Sequence, residues 1–145
     1  MTEAVEVAIE LALLARAQTF ATSQSLGISL PNIEFTPPTA DKNAKYLRAS
    51  FLPADTLSLS VGPTGNDQHY GLMQIDVLYG VGGGEIAPGR IASSVISYFK
   101  RGTSMTKDGF KVDVFRTPYR GPQLKDGAWT FIPVRIPYQA FAIPA

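Results

Sequence analysis

The chain has 145 residues and is 45% hydrophobic, which predicts a single globular domain spanning residues 1–145. Its net charge of +1 gives no bulk electrostatic reason to bind nucleic acid or a membrane. The absence of cysteine excludes disulfides, thiolate metal sites and a cysteine nucleophile. No apolar run approaches the ~20 residues of a membrane span, and the acidic N-terminal region predicts no export signal.

The first predicted element is a helix from Thr2 to about Ala21, in which apolar residues recur near one face. Thr2 is a suitable N-cap for this helix. A short strand is predicted over Asn32–Thr36, where Pro37 and Pro38 end it because proline cannot donate a ladder hydrogen bond.

A β-hairpin is predicted next. Lys45–Leu52 alternates as a strand does, Gly62–Asp67 is a strong turn signal, and Gln68–Tyr79 alternates again. Leu57, Leu59 and Val61 extend the first strand after a break. The core-facing set in the second strand is predicted to be Met73, Ile75, Val77 and Tyr79.

The glycine cluster from Gly80 to Gly84 has the position of a phosphate-binding loop, between a strand and a helix. It lacks the Lys-Ser or Lys-Thr pair of a P-loop, and Glu85 stands where the dinucleotide motif needs its third glycine. A carboxylate there would repel phosphate, so the cluster is interpreted as a flexible connector.

The second half of the chain predicts one more helix and two more strands. The helix covers Glu85–Lys100, the strands cover Phe110–Arg116 and Trp129–Phe141, and Pro118–Gly127 is a loop. Two prolines inside the final strand favour an edge or bulged position. The expected fold class is α+β, with two helices packed on one face of a mostly antiparallel, four- to five-stranded sheet.

No residue pattern predicts catalysis, a cofactor or a metal site. His69 is the only histidine; a metal site with Asp67 and Asp76 is conceivable, but a solvated residue at a strand start is the preferred interpretation. Ser58 and Ser60 follow an ordinary strand pattern and form no nucleophile elbow.

Basic residues concentrate in the C-terminal half of the chain. They form either a solvated sheet face or a modest patch for an acidic partner or a phosphate backbone. The set comprises Arg101, Lys107, Lys111, Arg116, Arg120, Lys125 and Arg135.

Four blocks of sequence, in this order, resemble the tail-terminator-like proteins of bacteriophages with long non-contractile tails. The blocks are Lys45–Thr56; Gly71–Tyr79 with its glycine run; Arg101–Thr103; and Pro118–Pro122 followed by Asp126–Trp129 and Ile132–Tyr138. The resemblance covers nearly the whole chain, with Ser23–Ala44 as its weakest part.

The resemblance implies a structural virion protein without catalytic activity. Such proteins form a ring, usually a hexamer, on the head-proximal end of the tail tube, where the ring stops tube polymerisation and docks the head connector. The implied partners are further copies of the chain, the tail tube protein, the head-completion or connector protein, and genome DNA passing non-specifically through the lumen. No membrane partner is implied, and assembly would take place in the host cytoplasm.

The residues assigned as candidates for the interface or the lumen are basic or aromatic, since aromatic side chains are favoured at interfaces. They are Arg101, Arg116, Arg120, Lys125, Arg135, Tyr119 and Trp129. Three other functions stay open: another phage neck protein, a small enzyme with an unrecognised site, and a DNA-binding accessory protein.

Overall fold

The structure is a computed structural model that describes residues 4–143, and it contains two helices and nine strands in that range. The helices are α1 (Val5–Ser23) and α2 (Ile86–Tyr98). The strands are β1 (Ile28–Ser29), β2 (Lys45–Pro53), β3 (Leu57–Ser58), β4 (Asp67–Gly80), β5 (Ser104–Lys107), β6 (Phe110–Val114), β7 (Tyr119–Arg120), β8 (Leu124–Asp126) and β9 (Trp129–Ala142).

All nine strands belong to one mixed, strongly curled sheet. The main path runs β1-β2-β4-β9-β6-β5, while β3 adds to β4, and β7 and β8 add to β9. The β1–β2 pair is parallel, and the other pairs are antiparallel. The expected fold, a four- to five-stranded, mostly antiparallel sheet with two helices on one face, is therefore wrong, because the sheet has nine strands, includes a parallel pair and is strongly curled. Four of the strands have only two or three residues, too few to produce a readable alternation.

Strand β9 lies in the middle of the sheet and pairs with β4 in an unbroken register, so its predicted edge or bulged position is also wrong. It pairs with β4 along its whole length, and its other side is covered in turn by β8, β7 and β6. The Pro133 carbonyl accepts a 2.8 Å hydrogen bond from the Gly121 N–H on that other side. Pro133 and Pro137 fall in the intervals between the three short strands, where a missing proline N–H interrupts no paired ladder.

The core is a cluster of buried side chains from both helices and from the side of the curled sheet that carries the buried strand residues. We call this the core side; the predicted set Met73, Ile75, Val77 and Tyr79 points to it and is buried, which confirms that prediction. Helix α1 has no glycine or proline and brings Ile9, Leu13, Ala17 and Phe20 to the core at helical spacing. The opposite side, called the outer side, carries Leu72, Gln74, Asp76 and Leu78 of β4.

Several element boundaries differ from the sequence predictions. Helix α1 continues to Ser23, and the predicted cap Thr2 lies outside the described residues. The range 32–36 is not a strand, and Asn32 has a φ of 53°, which no strand residue adopts. The predicted loop 118–127 contains β7 and β8, whereas helix α2 lies within its predicted range.

The glycine cluster is a tight connector between β4 and α2. Gly82 and Gly84 have φ values of 102° and 81°, which side chains rarely permit. A Cβ on Gly80 would overlap the Asp41 carbonyl oxygen, and one on Gly83 would overlap the Lys42 carbonyl oxygen. The glycines thus permit close backbone packing against the 41–42 turn.

Candidate assembly surfaces

Three aromatic rings form a row on the outer side of the sheet. Phe35 stacks on Tyr46 with ring centroids 5.4 Å apart, and Tyr46 meets Trp129 edge to face at 4.9 Å. Burial, the largest influence, raises the pKa of Tyr46. Trp129 is half-buried, so one part of this candidate interface residue is already packed within the subunit.

An ionic cluster lies beside the aromatic row and joins three strands. Arg48 of β2 contacts the buried Asp76 of β4 at 2.9 Å and the exposed Asp126 of β8 at 3.1 Å. The Arg48 guanidinium carbon also lies 4.9 Å from the Phe131 ring centroid. Burial acts to lower the pKa of Arg48, but its hydrogen bonds to Asp126 and Asp76 outweigh burial, so that this pKa is raised. The cluster therefore links β8, which pairs with β9, to β2 and β4 through an exposed ion pair.

The sequence analysis missed this cluster. Arg48 and Asp76 lie opposite each other in the β2–β4 register, and their alternation in two strands of one hairpin was visible in the sequence. The register itself was not visible, because it depends on the conformation of the 13-residue connection between these strands, residues 54–66. Asp126 reaches the cluster only through the unforeseen strand β8.

Three of the candidate residues share the outer side. Tyr119 of β7 lies opposite Arg135 of β9, so their side chains point to the same side as Trp129. The Arg135 Nε donates a 3.4 Å hydrogen bond to Gln74 Oε1, and Gln74 Nε2 donates to Asp76 Oδ1 at 2.8 Å. Tyr119 is exposed. Arg135 thus extends the ionic cluster towards an exposed tyrosine.

Arg120 and Lys125 lie on the other side of the sheet. Arg120 lies opposite Val134 and Lys125 lies opposite Thr130, and both of these β9 residues face the core side. Arg120 and Lys125 are nevertheless exposed, because they lie at the margin of the core side. Arg120 contacts the first turns of α2, where it lines an open groove of about 520 Å³ that Glu85 also lines. The structure therefore separates Arg120 from its sequence neighbour Tyr119.

Burial raises the pKa of Tyr79, assisted by Glu85 and opposed by Arg120. The hydroxyl of Tyr79 donates a 2.7 Å hydrogen bond to Gln123 Oε1, which ties the segment between β7 and β8 to β4.

Arg101 and Arg116 form a third location, after α2 and after β6. Their chain segments are joined by a 2.8 Å hydrogen bond from the Gly102 N–H to the Val114 carbonyl. Both arginines are exposed. The seven candidates are thus spread over both sides of the sheet and this junction, and their role at an interface or in a lumen stays a prediction.

No side-chain group in the described range 4–143 has the composition of a metal site. His69 points to the core side with its Nδ1 atom 3.4 Å from Thr56 Oγ1, whereas Asp76 points to the outer side. Of the three residues considered above as a metal set, His69, Asp67 and Asp76, His69 and Asp76 therefore point to opposite sides of the sheet. Within the same range, neither helix is both long and apolar enough to cross a membrane.

Comparison with known proteins identifies the family. A family model described as phage tail terminator protein matches residues 8–138. The chain belongs to this family. The resemblance found in the sequence is confirmed, and this tail terminator family member is a structural protein of the phage tail, located in the virion. Family membership also implies contacts with other tail or virion components.

Solved structures share the fold. One, whose recorded name states no function, is 25% identical with a TM-score of 0.78, covering 99% of this chain and 100% of that chain. A chain in the virion of a native gene transfer agent particle is 12% identical with a TM-score of 0.60, covering 97% and 100%. The second likeness shows the fold alone. No curated protein matches the chain.

Proposed function

We propose that the protein forms a closed hexameric ring on the head-proximal end of the tail tube. The ring ends tube polymerisation and docks the tail to the head connector, and genome DNA passes through its lumen without sequence preference. The observation that carries this proposal is the tail terminator match over residues 8–138, which spans most of the chain.

The shape of the subunit supports a ring. In a cyclic assembly each subunit uses two different patches, which meet head to tail. The main path of the sheet has two different ends, a two-residue strand β1 and a four-residue strand β5. The exposed arginines 101, 116 and 120 also suit carboxylates on a neighbour or phosphates in the lumen.

The first experiment measures assembly directly. The purified protein is examined by native mass spectrometry and sedimentation over a range of concentrations, and is added to tail tubes for electron microscopy. We expect a six-membered ring, free or on one end of each tube, and tubes that stop growing once capped. A protein that stays monomeric at high concentration and leaves tube ends bare overturns the proposal.

The second experiment tests the basic residues. Ring formation or tube docking is followed against salt concentration for the wild type, Arg116→Glu and Arg120→Glu, with the exposed Lys42→Glu as the matched control. Because exposed ion pairs are screened by salt, we expect assembly to weaken as ionic strength rises. Assembly indifferent to salt and to both reversals would show that apolar contacts hold the ring.

A further inference from the structure

The connection between β2 and β4, residues 54–66, is an exposed apolar segment that we call the arm. It is held to the sheet by β3 and by a 2.9 Å hydrogen bond from the Ala54 N–H to the Tyr70 carbonyl of β4, whereas a 3.1 Å hydrogen bond from the Leu59 N–H to the Asn66 carbonyl lies within the arm itself. Leu57, Leu59 and Val61 are 45%, 55% and 106% exposed. Large apolar side chains grouped on one exposed segment indicate an interaction surface.

The apolar surface continues from the arm onto the sheet. Leu57 lies opposite Gln68 of β4, which lies opposite Phe141 of β9, and Phe141 is 45% exposed. Leu52, at the end of β2, is 47% exposed on the same side. The arm therefore has further exposed apolar side chains near it on the outer side of the sheet, with the polar Gln68 between Leu57 and Phe141.

A groove between α1 and the edge strand β5 has matching properties. It has a volume of about 430 Å³ and is lined by apolar residues that include Leu11 and Met105, together with Arg16 and Lys107. The Arg16 guanidinium carbon lies 4.2 Å from the Tyr98 ring centroid, and Nη2 donates a 2.7 Å hydrogen bond to the Tyr98 carbonyl. Arg16 Nε is buried without a partner among the described residues, so Arg16 adds positive charge beneath the groove.

The charges of the arm and the groove are complementary. The arm and the residue that follows it carry the carboxylates of Asp55 and Asp67 and no lysine or arginine. The residues that line the groove in the described part of the chain include two cations and no carboxylate. An apolar segment with negative charge fits an apolar groove with positive charge, and opposite potentials favour this register over others.

The arm and the groove lie on opposite lateral edges of the sheet, as head-to-tail contacts need. Leu57 in β3 and Met105 in β5 connect, through β4 and β6, to adjacent residues of β9, Phe141 and Ala140. They therefore occupy the same level of the sheet at opposite lateral edges. In a ring whose axis runs along the strands, two complementary patches at one level relate successive subunits by rotation without a shift along that axis, which favours a closed ring over a helical filament.

We propose that the arm of each subunit docks into the α1–β5 groove of the next copy of this chain. This inference rests on the proposed ring and names the surfaces that form it. Leu57 and Leu59 cover the apolar lining, Asp55 pairs with Lys107, and the free edge of β5 offers backbone hydrogen bonds.

Disulfide trapping tests the contact between the arm and the groove. The chain has no cysteine of its own, so every cross-link comes from the introduced cysteines. Leu59→Cys and Thr106→Cys are combined in one chain and oxidised at a concentration where the ring forms. We expect a reducible ladder of covalent oligomers that ends at the ring. The matched control pairs Leu59→Cys with Val81→Cys, which is 65% exposed in the glycine connector, and should give no ladder.

Two results overturn the inference while leaving the proposed function intact. In the first, rings form but the Leu59–Thr106 pair gives no more cross-linking than the control. In the second, Leu59→Cys alone gives dimers, which would show a symmetric contact between arms. Absence of rings in the unmodified chain, both in solution and on tail tubes, overturns the proposed function together with the inference.

A charge exchange provides a second readout that needs no oxidation. Lys107→Glu should raise the concentration needed for ring formation roughly fivefold, as for loss of an exposed ion pair. Adding Asp55→Lys to the same chain should restore much of that loss, because each interface again joins opposite charges. If the double variant assembles worse than Lys107→Glu, the arm does not meet the groove.

Discussion

Replacing Arg48 by methionine isolates the role of the ionic cluster in stability. Methionine keeps much of the side-chain length and apolar contact but removes the cation from Asp76. The Arg48 Nε and Nη2 atoms lie 3.0 and 2.9 Å from Asp76 Oδ2, and the Asp76 side chain is only 3% exposed. After the substitution, the side-chain hydrogen bond from Gln74 to Oδ1, at 2.8 Å, remains.

The size of the stability loss on Arg48→Met follows from the burial of Arg48 and Asp76. Removing one partner of a buried ion pair costs about 3–5 kcal/mol, because a charge is left without compensation. The Arg48 side chain is 31% exposed, so water can reach part of the vacated space. We therefore expect a loss of about 3 kcal/mol in the free energy of unfolding. For a domain of this size, that loss lowers Tm by about 10 °C.

Urea denaturation followed by circular dichroism measures this loss. Asp126→Asn is the matched control, since it breaks only the pair whose carboxylate is 57% exposed and should cost less than about 1 kcal/mol. The double variant Arg48→Met with Asp76→Asn should recover much of the loss, because no buried charge remains unpaired. Equal, small effects of Arg48→Met and Asp126→Asn, or strict additivity in the double variant, would refute the reasoning.

Three further predictions concern Trp129, Tyr138 and the arm. Trp129→Ala should lower the free energy of unfolding by about 2 kcal/mol, roughly half the value for a fully buried tryptophan, since Trp129 is half-buried against Tyr46. An unchanged denaturation midpoint would show that Trp129 does not stabilise the isolated subunit. Burial, assisted by Glu10, raises the pKa of Tyr138 to about 12. The unfolded chain therefore loses this proton first, and stability should fall by about 1.4 kcal/mol per pH unit from about pH 10 to 12; a slope in Tyr138→Phe as steep as in the wild type would contradict this. In hydrogen exchange, residues 54–66 should exchange fast in the subunit and gain protection in the ring, whereas equal protection in both states would exclude docking of the arm.

The sequence determined the elements whose patterns are long and local. The helical spacing of apolar residues from Val5 to Phe20 and the alternation from Met73 to Tyr79 each require only neighbours along the chain, and the structure contains both. The four sequence blocks were also sufficient to place the chain among the tail terminators, since order and spacing carry that resemblance.

Tertiary structure decided what depends on pairing between distant segments. The strands β7 and β8 are too short to show a period, and they exist because β9 offers them an edge. The prolines of β9 suggested an edge position, yet three short strands leave intervals in which those prolines fit. The Arg48–Asp76–Asp126 cluster and the placement of the arm opposite the α1–β5 groove depend on strand register and sheet order. Those are properties of long-range contacts, which the local sequence pattern does not encode.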